Sequence, residues 1–342
     1  MGIDWKSKVV LITGGTGSFG QQFVQTMLKT RLPKKLIVFS RDEMKQYEMK
    51  QKLHDPERRV RFFIGDVRDA DRLHRAFENV DIIVHAAALK IVPTAEYNPF
   101  EAVKTNIIGA ENVINVAIDN GVEKVLALST DKAANPVNLY GATKLCAEKM
   151  FVAGNNYSPL GTKFSVVRYG NVFGSRGSVV PFFKECRVKG EVPITDERMT
   201  RFWITLPQGV DFVIQSLEEM VGGEIFIPKL PSIRITDLAK AVCPGCRQKV
   251  VGIRPGEKLH EVLIASDDGP FTYEFKDRYI TYPKVISQTR KDLPKPLGPD
   301  FEGYRSDGQE WQLSVPELET MINEEETKNE ENSIWAAMDR SV

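Results

Sequence analysis

Tyr140 and Lys144 stand four residues apart in LYGATKLCAEK, a step that puts two side chains on one face of a helix. A phenol with an ammonium beside it is a candidate proton acceptor, because the positive charge favours the phenolate. The pair alone is common. Its position gives it weight, because it follows an apolar run ending in Ser129-Thr130-Asp131-Lys132 by about ten residues. Those residues bring hydroxyls, a carboxyl and a second ammonium. The plain alternative for Asp131 and Lys132 is an exposed ion pair on a strand-end loop, common and nearly neutral in energy.

A second string, GGTGSFG, places Gly14, Gly17 and Gly20 at every third position, directly after an apolar run and before a helical one. Missing side chains let a pyrophosphate approach the backbone, and the helix start offers free N–H groups and a positive dipole end. A tight turn without a ligand would use the same glycines. The next apolar run ends in Phe39-Ser40-Arg41, with Lys45 one turn onward. A free ribose 2′-hydroxyl calls for a carboxylate there, whereas an arginine beside a hydroxyl suits a 2′-phosphate and favours NADP. Asp42 keeps NAD open, and Arg41 also reads as a solvated loop charge. Asp66, in Gly65-Asp66-Val67, is placed for the adenine amino group or as a turn cap.

The elements that must hold these residues follow from periodicity. Val9 to Ile12, Leu36 to Phe39, Phe62 to Ile64, Ile82 to Val84, Val125 to Leu128 and Phe164 to Val167 are β-branched runs apolar on both faces, as in a covered parallel sheet. Between them, Phe19, Phe23, Val24, Met27 and Leu28 form one helical stripe, and Val103, Ile107, Ala110, Val113, Ile114 and Ala117 another. This β-α alternation predicts an α/β chain with a doubly wound parallel sheet. Residues 1–170 form the nucleotide-binding domain, with later strands returning from the C-terminal half. Residues 171–290 form mainly a smaller substrate lobe, including a strand at Ile225 to Ile227 and a helix opening near Thr236. Residues 291–342, with LPKPLGPD and the acidic run NEEETKNEENS, form a partly mobile tail.

With 46 Lys+Arg against 46 Asp+Glu, no bulk field draws the protein to nucleic acid or an anionic membrane, so a small ligand is the expected partner. The longest apolar stretches fall short of the roughly 20 residues a membrane span needs, and MGIDWKSK lacks a signal core, which places the protein in the cytoplasm. Four scattered cysteines suit a reducing compartment. Cys243-Pro-Gly-Cys246 has the spacing of half a zinc site, but no second pair or histidine cluster accompanies it. It reads as a turn, with no metal expected.

From Lys8 to about Ile280 the ordered strings GGTGSFG, the Asp66 motif, HAAALK, STDKA, YGATK and RPGEK resemble the extended short-chain dehydrogenase/reductases of Rossmann fold. SRDEMKQ, AALKIVPTAEYNP, STDKAANPVNLYGATK, PITDERMTRFWIT and VGIRPGEKLHE are similar to the inverting UDP-N-acetylglucosamine 4,6-dehydratases of the pseudaminic acid type, in their short form without membrane segments. The resemblance implies a homo-oligomer, dimer or hexamer, and NADP held by the glycine turn with Thr16, Ser18 and Phe19, by Ser40, Arg41 and Lys45, by Asp66 and Val67, and by Ala87, Tyr140, Lys144 and Tyr169.

It also implies a reaction. Tyr140, helped by Lys144 and Thr130, takes the proton of the sugar 4-hydroxyl as hydride leaves carbon 4. Lys132 removes the proton on carbon 5, protonated Asp131 expels the 6-hydroxyl as water, and hydride returns to carbon 6. Retaining dehydratases carry Asp-Glu where Asp131-Lys132 stands, so the lysine implies inversion. Arg254 is implied on the diphosphate of UDP-N-acetylglucosamine and Glu257 on its ribose. Asn171, just past the sixth strand, lies where crevice ligands bind. Lys90, Val179, Thr195 and Arg201 are further candidates, each also explicable as surface or lobe packing. A 4-epimerase needs only Thr130, Tyr140 and Lys144, and an NADP-sensing binding protein could use the same fold. Both stay open.

Overall fold

Runs that are apolar on both faces need neighbours on both sides and cover above and below, and they find them in one sheet. The computed structural model describes residues 2–174, 179–283, 293–308 and 311–324. Strands β1 (Val9–Thr13), β2 (Lys35–Ser40), β3 (Val60–Ile64), β4 (Ile82–His85), β5 (Lys124–Thr130) and β6 (Lys163–Tyr169) run parallel in the order 3-2-1-4-5-6. Past β6 come Ile225–Pro228, parallel, then Arg278–Thr281 and Thr272–Glu274, antiparallel. Leu11, Ile12, Val38, Ile83, Val84, Leu126 and Val167 are sealed from solvent. The edge strand β3 departs from the expected pattern: Ile64 is 46% exposed, because an edge has a sheet neighbour on one side only.

Helices α1 (Ser18–Thr30), α2 (Glu43–Lys52), α3 (Ala70–Phe77), α4 (Val92–Tyr97), α5 (Pro99–Val103), α6 (Gly109–Asp119) and α7 (Leu139–Gly154) connect the parallel strands. Strand order reverses between β1 and β4, the point at which such sheets leave a crevice at the carboxyl ends of their strands. GGTGSFG follows β1 there.

The chain divides into two compact units. The first contains the chain up to Gly170, Leu206–Lys229 and Val262–Tyr304, and the second contains Asn171–Thr205, Leu230–Glu261 and the segment beginning at Arg305. The division therefore does not fall at 170 and 290 along the chain, since Leu206–Lys229 and Val262–Tyr304 extend the first unit's sheet. The second unit pairs Asn171–Val172, Thr200–Ile204 and Ser232–Arg234 in one small sheet, and Glu191–Ile194 with Arg247–Val250 in another. Its core gathers Phe183, Val192, Trp203, Ile233 and Leu238.

The described part of 291–342 is mostly exposed, as expected, but it is anchored at a few residues. Tyr304 is buried in the first unit, and Leu318 and Ile322, four apart on a helix over 315–324, enter the second unit's core. The acidic run lies, beyond Glu324, outside the described residues. Among the described residues no helix is long and apolar enough to cross a membrane.

Candidate functional site

The glycine turn is shaped by close approach. Gly14 has φ +65°, and a Cβ there would lie 2.9 Å from the Ala87 nitrogen; a Cβ on Gly20 would lie 2.4 Å from the Gly15 oxygen. The Thr13 hydroxyl, at the end of β1, accepts the N–H groups of Ala86 and Ala87 (3.2 Å each) and pairs with His85 Nδ1 at 2.9 Å. Gly17 caps α1, so the first N–H groups of that helix, at Ser18 and Phe19, face the turn with Thr16 buried beneath. A backbone cradle that side chains would fill, at a helix start, fits a dinucleotide pyrophosphate.

At the end of β2, Gln46 Nε2 donates to the carbonyl and hydroxyl of buried Ser40 (3.0 Å each). Asp42 caps α2: its Oδ1 accepts the Lys45 N–H at 3.0 Å and its Oδ2 lies 3.1 Å from Lys45 Nζ. Those contacts, the backbone one foremost, hold its carboxyl below the usual range. Arg41 stays half exposed, 3.6 Å from Asp66 Oδ2. Asp66 also accepts the Arg68 backbone N–H (3.0 Å) and its guanidinium (3.0 and 2.7 Å). Burial pushes the Asp66 carboxyl up, but the Arg68 hydrogen bonds and the charges of Arg68 and Arg41 more than offset it. Val67 follows, buried, and its carbonyl accepts from Asn112 at 3.0 Å.

The catalytic candidates converge where β5 ends. Thr130 caps a single turn, Asp131–Ala133, through the Lys132 N–H (3.4 Å) and donates its hydroxyl to Asp131 Oδ1 at 2.9 Å. Lys132 Nζ donates to that same oxygen at 3.1 Å. The Asp131 side chain is 1% exposed and that of Lys132 26%, so the carboxyl is inside the protein and not on an exposed loop. Asn138 caps α7 by accepting the Gly141 N–H at 2.8 Å. That start delivers Tyr140, bonded to Thr130, and one turn on Lys144, whose Nζ donates to the Leu128 carbonyl at 2.6 Å.

Burial pushes Tyr140 up to about 12, against pulls downward from the Lys132 charge and the Thr130 hydrogen bond. The cation that lowers the phenol's pKa is Lys132, while the Lys144 ammonium is engaged with the β5 backbone. Burial pulls Lys144 down to about 8, partly opposed by the Glu148 charge. Tyr169, at the end of β6, is raised by burial and then by Tyr140.

Three further residues shape this site. A Cβ on Gly141 would sit 2.2 Å from the Lys132 carbonyl oxygen, so only glycine lets α7 lie against the catalytic turn. Asn106, in a π-helical turn (Lys104–Ile108), donates to the Leu89 carbonyl and Thr143 hydroxyl (3.0 Å each) and accepts the Leu89 N–H at 2.8 Å. Its signal is a polar residue inside an apolar helical stretch. Glu148, two turns past Tyr140, forms a two-pronged pair with Arg168 (3.0 and 2.6 Å).

The substrate candidates are dispersed. Lys90 lies in the first unit, and burial lowers its pKa. In the second, Asn171 opens a strand in register with Trp203, Val179 packs on the core, and Thr195 follows Glu191–Ile194. Arg201 is buried, donating to the Thr200 and Leu259 carbonyls (2.7 and 3.2 Å) with Nε 3.6 Å from Glu261. Arg254 is exposed and closes a turn with Glu257: the Glu257 N–H reaches the Arg254 carbonyl at 3.1 Å, and the Arg254 N–H reaches Glu257 Oε2 at 3.3 Å.

Residues 10–283 match the family described as polysaccharide biosynthesis protein. The chain is 53% identical, over 94% of its length and 99% of the relative's, to a UDP-N-acetylglucosamine 4,6-dehydratase (inverting) of Campylobacter jejuni. It is 44% identical to a UDP-glucose 4-epimerase of Rickettsia akari, over 84% of this chain and 88% of that one. The X-ray structure of Pen from Bacillus thuringiensis superposes with a TM-score of 0.86 at 37% identity, covering 95% of this chain and 99% of that one. The chain belongs to the polysaccharide biosynthesis protein family, among the extended short-chain dehydrogenase/reductases related to the inverting UDP-N-acetylglucosamine 4,6-dehydratases.

Proposed function

We propose that the protein is an NADP-dependent UDP-N-acetylglucosamine 4,6-dehydratase that inverts carbon 5. The observation that carries this is the buried Asp131 carboxyl with the Lys132 ammonium and Thr130 hydroxyl on one oxygen, beside Tyr140. Oxidation at carbon 4 needs only a base at the hydroxyl. Elimination needs in addition a base at carbon 5 and an acid at the 6-hydroxyl, and the Asp-Lys pair supplies both types.

Desolvation disfavours the Asp131–Lys132 ion pair relative to its neutral form, in which carboxyl and free amine result from moving one proton across 3.1 Å. In that form Lys132 takes the carbon 5 proton and Asp131 protonates the departing 6-hydroxyl, which leaves as water. Oxidation precedes that proton shift: with the pair still ionised, Tyr140 as a phenolate takes the proton of the 4-hydroxyl, stabilised by the Lys132 charge and by a Thr130 hydroxyl turned from Asp131. NADP bound at the glycine turn supplies hydride transfer out of carbon 4 and back at carbon 6, with no external reductant. The engagement of Asp42 with α2 and Lys45, and the exposure of Arg41, support NADP over NAD. Arg254 and Glu257 remain the candidates for the diphosphate and ribose, and the free cysteines suit the cytoplasm.

Incubation with UDP-N-acetylglucosamine in deuterated water, without added NADPH, should give a 4-keto-6-deoxy product lighter by one water and deuterated at carbon 5, with L-configuration by NMR coupling. Lys132→Ala should abolish both. A variant that still eliminated water and exchanged at carbon 5 would remove Lys132 as the base. A 4-epimerase, to which the Rickettsia relative and the Thr130-Tyr140-Lys144 set lend support, would instead leave the 6-hydroxyl in place.

A further inference from the structure

In the second unit, Cys243 and Cys246 meet at a turn. The Cys246 N–H donates to the Cys243 carbonyl at 3.1 Å, Pro244 occupies the second position, and Gly245 takes φ +81° at the third. That is a type II turn, whose first and last residues lie within disulfide-forming distance of each other. The two sulfurs are 2.9 Å apart, with the Cys246 thiol donating to Cys243, and the Cys243 thiol donates to the Phe183 carbonyl at 3.3 Å. Cys243 is 2% exposed, at the end of the helix Ile235–Val242, while Cys246 is partly exposed. The same turn that made the pair unremarkable in sequence thus fixes two thiols face to face, one of them on a partly exposed residue.

We propose that Cys243 and Cys246 form a thiol–disulfide exchange site whose co-reactant is a disulfide oxidant. The partly exposed Cys246 thiolate attacks a sulfur of the oxidant; that S–S bond breaks, a mixed disulfide forms, and one thiol leaves with the proton Cys246 gave up. The Cys243 sulfur then attacks Cys246 Sγ, closing the intrachain disulfide and releasing the second thiol with the Cys243 proton. Two protein thiols are oxidised by two electrons, and one disulfide is reduced to two thiols. The order follows from access and acidity: burial, then the adjacent Cys246 sulfur, pushes the Cys243 thiol up to about 11, so it is the resolving group and not the point of entry.

The test uses the full chain and oxidised glutathione. After incubation, alkylation and intact-mass measurement should show two of the four thiols lost and a mass lower by two hydrogens. Trypsin, cutting after Lys240 and Arg247, should release one peptide carrying the internal disulfide, and dithiothreitol should restore all four thiols. Cys243→Ala should instead retain a stable glutathione adduct on Cys246. The proposal is overturned if all four thiols stay alkylatable, if the disulfide formed involves Cys146 or Cys186, or if folded Cys243→Ala takes no adduct. Mapping the unmodified protein decides the matter even if that variant does not fold.

Discussion

Replacing Gly141 by alanine tests whether the catalytic turn and α7 work as one piece. The new Cβ would meet the Lys132 carbonyl oxygen at 2.2 Å and Pro136 Cβ at 3.1 Å. Carbon and oxygen settle no closer than about 3.3 Å, so the helix start and the 131–133 turn must part by roughly 1 Å. Tyr140 rides on the helix, and Asp131 and Lys132 on the turn. A displacement of about 1 Å between reacting groups costs on the order of 100-fold in rate, or about 2.7 kcal/mol of transition-state stabilisation. Overpacking costs about 1–3 kcal/mol of stability, offset by up to about 1 kcal/mol of helix propensity, so the variant should fold. The assay is kcat for water elimination, with circular dichroism melts as control. Gly141→Ala with a native melt and kcat within threefold of wild type would refute the claim that this contact sets the distance between Tyr140 and the Asp-Lys pair.

His85 is fully buried against Thr13 and Phe151, and burial, with the Lys144 charge behind it, pulls its pKa down from 6.5 to about 3. The unfolded chain then binds a proton that the folded one refuses, so this contribution is complete above pH 6.5 and drains away toward pH 3, by about 3 kcal/mol between 6.5 and 4. Urea unfolding of His85→Gln across that range should show a shallower pH dependence, and equal slopes would mean that the histidine titrates normally. Arg41→Ala should weaken NADP binding by about 10- to 100-fold, the worth of a charged hydrogen bond, while leaving NAD within threefold; equal losses for both cofactors would assign Arg41 to the loop and not to a 2′-phosphate.

What could be read from the sequence was whatever depends on neighbours along the chain. Continuous apolar runs located β1 to β6, and the glycine spacing located the turn after β1. That later strands return to the first domain was expected, but which ones stayed hidden: Ile225–Pro228, read as part of the second lobe, and Arg278–Thr281 join the first unit's sheet, because strand pairing carries no local mark. Composition gave no sign of the tail's anchorage for the same reason, since Leu318 and Ile322, one helical turn apart, dock 315–324. Residue types identified the phenol and both ammonium groups, but not that Lys144 donates to the Leu128 carbonyl, a contact across sixteen residues.

Tyr140, Lys144 and Glu148 recur at four-residue steps along one face of α7, and each is tied to a different part of the sheet: Tyr140 to Thr130 at the end of β5, Lys144 to the Leu128 carbonyl further back, Glu148 to Arg168 on β6. The last pair is almost wholly buried, and Arg168 also donates to the Leu263 carbonyl at 2.8 Å. A buried ion pair contributes little net stability compared with apolar packing, yet breaking one strands a charge at about 3–5 kcal/mol, so its effect is to forbid displaced arrangements. Sliding α7 by one residue would move Glu148 about 1.5 Å along the axis and rotate it off Arg168. The same slide would withdraw Tyr140 from Thr130 and Lys144 from β5. The Glu148–Arg168 pair, two helical turns from the phenol, therefore fixes the register that brings Tyr140 to the Asp131–Lys132 pair.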